Sequence, residues 1–90
     1  MSKVFLITYD LRKPGQNYSE LYDEIKKFND FQHPLESTWF IRVGNSLEPN
    51  DVYKMLRPKI DDQDYLFIVD ITDQERQGWL ARSFWNWLRK

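Results

Sequence analysis

Two short apolar runs constrain what this chain can fold into. The first, KVFLITY at residues 3–9, is apolar at successive rather than alternate positions. A strand of this kind has to be covered on both faces, as the central strand of a sheet is. The second, YLFIVDI at residues 65–71, has a similar composition and predicts another buried strand.

Two helices are predicted between these runs. Apolar residues recur at helical spacing through residues 18–28, and Asn17 with Glu20 fits a capping box at the start of that helix. A second helix is predicted over residues 49–57, because Pro58 disfavours helical geometry at the residue before it. The apolar stripes are Tyr18, Leu21, Tyr22, Ile25 and Phe28 in the first helix, and Val52, Met55 and Leu56 in the second.

The segment FQHPLESTWFIRV, residues 31–43, alternates between apolar and polar residues in its second half. Alternation predicts a half-buried strand, and a proline early in the segment bends it because proline cannot donate to the ladder. We therefore expect either one bent strand or two strands here. One face would carry Leu35, Ser37, Trp39, Ile41 and Val43.

The last segment, GWLARSFWNWLRK at residues 78–90, also repeats apolar residues at helical spacing. We expect a short helix over residues 79–88 that packs on the body and stabilises it, with an added strand as the alternative. The whole chain, residues 1–90, is then a single α+β domain. Its order β-α-β-β-α-β predicts a ferredoxin-like sandwich of two helices over one sheet, followed by the C-terminal helix.

Composition limits the classes of protein further. Ninety residues bury only a thin core, and 17% aromatic residues exceed what such a core needs, which favours a homodimer. A net charge of −1 argues against broad non-specific binding of nucleic acid, although residues 76–90 carry four cations and no acid. The absence of cysteine excludes a disulfide framework and a thiolate metal site. With no signal peptide or long apolar run, we expect a cytoplasmic protein without membrane contact.

Asp10 stands directly after the first apolar run, at the start of a loop. A carboxylate in this position can bind Mg²⁺, which often uses one or two carboxylates together with water and phosphate. Alternatively, it accepts backbone N–H bonds and starts a turn. Arg12 and Lys13 follow it, and they would either contact phosphates or simply be solvated.

His33 is the only histidine, and it is either a general acid or base or a ring that holds the bent strand ahead of Pro34. Ser37 and Trp39 would place a hydroxyl beside an aromatic ring, a contact set for phosphate and base. A tryptophan in a strand is, however, usually a core residue.

Two further clusters have alternative interpretations. The acidic stretch DDQD, residues 61–64, lacks the glycine and distal glutamate of a calcium loop and is expected to be a solvated turn. The C-terminal tryptophans and arginines are typical of a stacking platform for single-stranded nucleic acid. We favour the alternative, in which the terminal helix seals the core or a dimer.

Several motifs in order resemble a known family: Tyr9-Asp10 at a strand end, the loop KPGQ, Tyr18, and the pattern H-x-L-x-STW from His33. Over residues 3–71 the chain resembles the small CRISPR-associated endonuclease of the spacer-acquisition complex and the virulence-associated protein D ribonucleases. Within that group it is most similar to the branch labelled "SinR family". Two departures are the first helix, which lacks the family's arginines, and the tryptophan-rich tail, which replaces a crossing strand.

The resemblance implies a ferredoxin-like homodimer in which two copies of Asp10 face each other and hold Mg²⁺ or Mn²⁺ for hydrolysis of RNA or DNA. It also implies that Ser37 lies near the interface. The predicted function is therefore a metal-dependent endonuclease, and the alternative is a non-catalytic dimeric module whose tail docks a partner protein. The predicted catalytic residues are Asp10, His33 and Ser37, with nucleic-acid contacts from Tyr9, Arg12, Lys13 and Trp39.

Overall fold

The computed structural model describes residues 2–13, 15 and 18–90, which form four strands and three helices. No helix in these residues has the length and apolarity that a membrane span requires. The capping box predicted at Asn17 lies outside the described residues. In chain order the elements are β1 (Ser2–Asp10), α1 (Ser19–Lys26), β2 (Phe31–Leu35), β3 (Thr38–Gly44), α2 (Pro49–Leu56), a 3-10 turn (Arg57–Lys59), β4 (Tyr65–Asp70) and α3 (Arg82–Leu88).

The strands form one antiparallel sheet in the order β2-β3-β1-β4. The first apolar run therefore lies inside the sheet, between two neighbours, as its composition predicted. Because side chains alternate across a strand, this central strand has to be covered on both sides. The pairing of β1 runs from Ser2↔Gly44 to Thr8↔Thr38 on the β3 side and from Phe5↔Asp70 to Asp10↔Tyr65 on the β4 side.

The larger core lies between the sheet and the helices α1 and α2. Each helix contributes two fully buried residues, spaced four apart as the helical stripe predicted. Met55, which the same pattern placed in the α2 stripe, is instead an exposed residue. The buried members of this core are Phe5, Ile7, Tyr9, Leu21, Ile25, Trp39, Ile41, Val43, Val52 and Leu56.

A second core covers the opposite face of the sheet and depends on α3. Val4 and Phe40 on the sheet pack against Phe84, Trp87 and Leu88 of the helix. The rings of Phe40 and Phe84 lie 4.7 Å apart. The prediction of a C-terminal helix packed on the body is confirmed, although the helix begins at Arg82 rather than at residue 79.

Polar contacts also hold α3 in place. Arg42 Nη2 donates to the carbonyl oxygen of Trp87 at 3.0 Å, and its guanidinium lies 4.3 Å from the centre of the Trp87 ring. The indole N–H of Trp87 donates to Asp30 Oδ1 at 2.6 Å. The end of the chain is thereby attached both to β3 and to the turn before β2.

Residues 31–43 form a hairpin, which corrects the expectation that alternation continues through Ser37. The chain reverses at residues 36–37, and Leu35 pairs with Thr38. The register shifts between Gln32 and Leu35, where Pro34 removes a donor from the ladder. Ser37 consequently lies in the turn rather than on the face of Trp39.

The prediction of a strand at residues 65–71 is confirmed over Tyr65–Asp70, but the expectation that this strand is buried was wrong. Their strand, β4, is at the edge of the sheet and has no buried residue, with Tyr65 and Phe67 each 62% exposed. An edge strand has a neighbour on one side only, and α3 packs near the other end of this face, against Val4 and Phe40. Two large aromatic side chains are left in contact with solvent.

The second core predicts that two tryptophans of the tail differ sharply in their contributions to stability. Trp87 is 5% exposed and Trp79 is 98% exposed. Replacing Trp87 with alanine should lower the free energy of unfolding by about 3–5 kcal/mol, because it empties part of the second core. Trp79→Ala is the matched control and should change it by less than about 0.5 kcal/mol. Urea denaturation followed by far-UV circular dichroism measures both, and equal stabilities would contradict the assignment of α3 to the core.

Candidate functional site

The end of β1 and the β2–β3 turn enclose a shallow cleft of about 270 Å³. Backbone and hydroxyl contacts bring them together: the Tyr9 N–H donates to the Ser37 carbonyl at 3.1 Å, and the Thr8 hydroxyl donates to the same oxygen at 3.2 Å. The cleft therefore collects predicted site residues from two separate parts of the chain. It is lined by Tyr9, Asp10, Leu11, Tyr22, Glu36 and Ser37.

Asp10 is exposed at the rim of this cleft. Its Oδ2 lies 3.9 Å from Arg12 Nε, and both side chains are more than half exposed, so water and salt weaken the pair. In the part of the chain that the structure describes, no backbone N–H donates to the Asp10 carboxylate. The Asp10 carboxylate is thus exposed to solvent, with Arg12 as its charged neighbour.

The two cations after Asp10 both have acidic neighbours within the chain. Arg12 lies beside Asp10, and its guanidinium also stacks over the Tyr65 ring at 5.1 Å from the ring centre. Lys13 Nζ lies 3.2 Å from Asp61 Oδ1. Phosphate contacts by these cations stay a prediction, and they would compete with these internal pairs.

The loop after β1 is shaped by Asp64, which the sequence placed in a solvated turn. Asp64 is buried, and its carboxylate accepts from the Arg12 N–H at 2.7 Å, the Tyr18 hydroxyl at 2.7 Å and the Asp61 N–H at 2.8 Å. Burial opposes ionisation, but these hydrogen bonds outweigh it and hold the Asp64 pKa below its usual range. The expectation of a solvated residue is therefore wrong for Asp64.

Tyr9 and Trp39 form the buried floor beneath the cleft. The Trp39 indole N–H donates to the Tyr9 hydroxyl at 2.9 Å, and Trp39 is only 3% exposed. Burial raises the pKa of Tyr9 to about 12, so its phenol stays protonated at neutral pH and cannot act as a base there. Contact of these two rings with nucleic-acid bases stays a prediction.

His33 lies behind the cleft and holds the hairpin turn. Its ring stacks on Trp39 with centres 3.8 Å apart and planes 11° apart. His33 Nε2 lies 2.9 Å from the Glu36 carbonyl oxygen, and this contact needs a proton on Nε2. The second ring nitrogen, Nδ1, has no hydrogen-bond partner among the described residues.

The oxygen donors of this chain fit only part of a metal site. Within residues 2–13, 15 and 18–90, no three histidine, aspartate or glutamate side chains come together as metal ligands. Asp10 shares its cleft with Glu36, which the motifs did not point to, and with the Ser37 hydroxyl. These are oxygen donors of the kind that Mg²⁺ prefers, but a full coordination sphere would need water, phosphate or a second subunit.

The carboxylate of Asp10 also borders an uncovered part of the sheet on the α3 side. Asp10 pairs with Tyr65 and Thr8 pairs with Phe67, so these four side chains point to the same face. Thr38 adjoins them, with its hydroxyl 3.1 Å from that of Thr8. We call this surface, formed by Thr8, Asp10, Thr38, Tyr65 and Phe67, the exposed face.

The structure thus brings Tyr9, Asp10 and Ser37 to one cleft, with His33 joined to it through the Glu36 carbonyl. Comparison of the chain with protein-family models, curated proteins and solved structures found no match. The family resemblance, and the roles that it implies, stay predictions.

The contacts of Asp64 predict a pH-dependent stability. Asp64→Asn should lower the free energy of unfolding at neutral pH by about 1–3 kcal/mol, because a buried charge-assisted acceptor is lost. Folding lowers the pKa of Asp64, so its contribution is present above the unfolded value of about 3.9 and is lost as pH falls through the folded value. Wild type and variant should therefore converge in acid.

Chemical denaturation at several pH values measures this difference. Asp62→Asn is a suitable control, because the Asp62 side chain is 95% exposed and makes only a surface ion pair. A constant difference between wild type and Asp64→Asn down to the lowest pH would show that charge is not the origin of the effect.

Proposed function

We propose that this protein is a homodimer of ferredoxin-like subunits that cleaves the phosphodiester backbone of nucleic acid with a divalent metal ion. The exposed face carries the proposal, because it places a solvent-exposed carboxylate beside two uncovered aromatic side chains. The element order and the strand order β2-β3-β1-β4 support the ferredoxin-like assignment.

Dimerisation through the exposed face would cover the aromatic side chains and the strand edge that a single subunit leaves in contact with solvent. Tyr65 and Phe67 lie on an edge strand, which also presents unpaired backbone groups to solvent. A two-fold axis uses the same patch on both subunits. Asp10 lies at the border of that patch, so the two copies of its carboxylate would approach each other.

Residues of both subunits would then contribute to phosphodiester hydrolysis. The Asp10 carboxylates would hold a divalent cation, which would supply an activated water and stabilise negative charge on the phosphate. Arg12 and Lys13 would exchange their acidic partners for phosphate oxygens. The Ser37 hydroxyl would donate to a phosphate oxygen, and His33 Nδ1 would accept a proton from the attacking water.

A specific observation supports the alternative, a non-catalytic dimeric module. Arg12 and Lys13 are each within ion-pair distance of an acid of the same chain, Asp10 and Asp61. If these pairs persist in the dimer, the loop offers little net charge to phosphate. The exposed face would then serve assembly alone.

The dimer predicts a defined change in mass. At tens of micromolar protein, light scattering should give twice the chain mass of 11.1 kDa. Phe67→Arg should shift the protein towards the monomer, because it places a charge in the centre of the apolar contact. Tyr53→Arg changes a 43% exposed aromatic on α2 and should leave the mass unchanged. A wild-type monomer at this concentration would contradict the proposal.

The shared carboxylates predict a metal response that depends on Asp10. Mg²⁺ or Mn²⁺ should raise the melting temperature of wild type more than that of Asp10→Asn, because bound metal stabilises the folded dimer. Without metal, the variant should be at least as stable as wild type, because a like-charge pair has been removed. Thermal melts with EDTA and with each metal measure both effects, and equal shifts would mean that Asp10 binds no metal.

Cleavage of single-stranded RNA and DNA by wild type and Asp10→Asn separates the two functions. The nuclease proposal requires metal-dependent cleavage by wild type and its loss in a variant that still folds and dimerises. Asp62→Asn, a change in an exposed acid that lines neither the cleft nor the exposed face, should cleave like wild type. A dimer that cleaves neither substrate would support the non-catalytic module.

A further inference from the structure

The tail of the chain forms a second open cleft, of about 860 Å³, between the segment 76–80 and α3. Its volume is within the range of sites that hold small ligands. Three arginines and two tryptophans contribute to its wall, and none of the described lining residues is acidic. These side chains are Arg76, Trp79, Arg82, Trp85 and Arg89. We call this the tail cleft.

The tryptophans of the tail cleft differ from those that build the core. Trp79 is 98% exposed, whereas Trp87 and Phe84 are buried. Trp85 is half-buried: it meets Phe84 edge to face, with ring centres 5.5 Å apart. At Gly78, a Cβ atom would lie 3.5 Å from the Trp85 ring, so the chain passes close over that ring. The cleft thus combines a supported ring with a fully accessible one.

The arginines of the tail cleft form no ion pair with an acid in the described part of the chain. All three, Arg76, Arg82 and Arg89, are exposed. Two of them are nevertheless oriented: Arg76 Nη1 donates to the Ile71 carbonyl at 2.9 Å, and Arg89 Nη1 donates to Asn86 Oδ1 at 3.3 Å. A locally positive surface therefore exists on a chain whose net charge is −1.

We infer that the tail cleft binds single-stranded nucleic acid, with a base stacked on Trp79 and neighbouring phosphates paired with Arg82 and Arg89. Unstacked bases present a flat face to an aromatic ring, and guanidinium groups pair with phosphate oxygens in a fork. A duplex keeps its bases stacked on one another and cannot offer that face. The inference requires neither metal nor Asp10, so it stands apart from the proposed cleavage.

Fluorescence anisotropy with labelled oligo(dT) and oligo(rU) of about fifteen nucleotides tests the inference. The measurements use full-length protein at low salt with EDTA, which prevents metal-dependent cleavage. Wild type should bind both probes, and Asp10→Asn is measured beside it to detect any contact at the exposed face. Trp79→Ala should bind about fivefold to hundredfold more weakly, because base stacking is lost. The two probes also show whether the sugar contributes to affinity.

Further variants separate the contribution of base stacking to the binding affinity from the contribution of charge. Arg82→Gln should weaken binding and reduce the slope of log K against log salt by about 0.7 for each lost phosphate contact. Tyr53→Ala, which removes an exposed aromatic elsewhere, should bind like wild type. Quenching of tryptophan fluorescence by oligo(dT) should be reduced in Trp79→Phe.

Several results would overturn the inference. These are no binding of either probe by wild type, wild-type affinity in Trp79→Ala, or equal affinity for a duplex of the same length. Loss of binding in Asp10→Asn alone would indicate that the nucleic acid contacts the exposed face instead of the tail cleft. Because all binding is measured without metal, an inactive nuclease and an empty tail cleft are distinguishable outcomes.

Discussion

The central strand β1 has to be covered on both faces, and the other elements are arranged around that requirement. Phe5 and Ile7 point towards α1 and α2, while Val4 on the opposite face meets α3. Because the chain has only ninety residues, few side chains remain to cover the second face of β1. The short helix α3 covers one end of the face and leaves the end with Asp10 open. The location of the candidate site therefore follows from how far α3 reaches.

Much of the fold could be predicted because it depends on local spacing. The apolar run of β1, the stripe of Leu21 and Ile25, and the spacing of Phe84, Trp87 and Leu88 all identified elements that the structure contains. The position of β4 could not be predicted in the same way. Its composition is close to that of β1, but the number of neighbours that a strand has is decided by the topology of the whole sheet.

The site was partly predictable from local sequence motifs. Tyr9, Asp10 and Ser37 were identified from motifs, and the contact of the β2–β3 turn with β1 brings them to one cleft. Asp64 was missed because its partner Arg12 lies 52 residues earlier in the chain. The composition around Asp64 indicates a solvated acidic turn. Only the tertiary structure shows that the carboxylate of Asp64, and not that of Asp10, accepts the backbone N–H hydrogen bonds of this region.

The side chains of the tail fall into two groups, one buried against the sheet and one exposed to solvent. Trp87 and its contacts with Arg42 and Asp30 attach α3 to the sheet, so these side chains are no longer available to a ligand. Trp79 and the three exposed arginines of the tail cleft lie before, at the start of or after the helix, and none belongs to either core. Because α3 is anchored independently of them, substitutions there can alter binding without altering the fold. The aromatic and basic side chains that these anchors leave exposed are the ones to which we assign the proposed contact with a nucleic-acid strand.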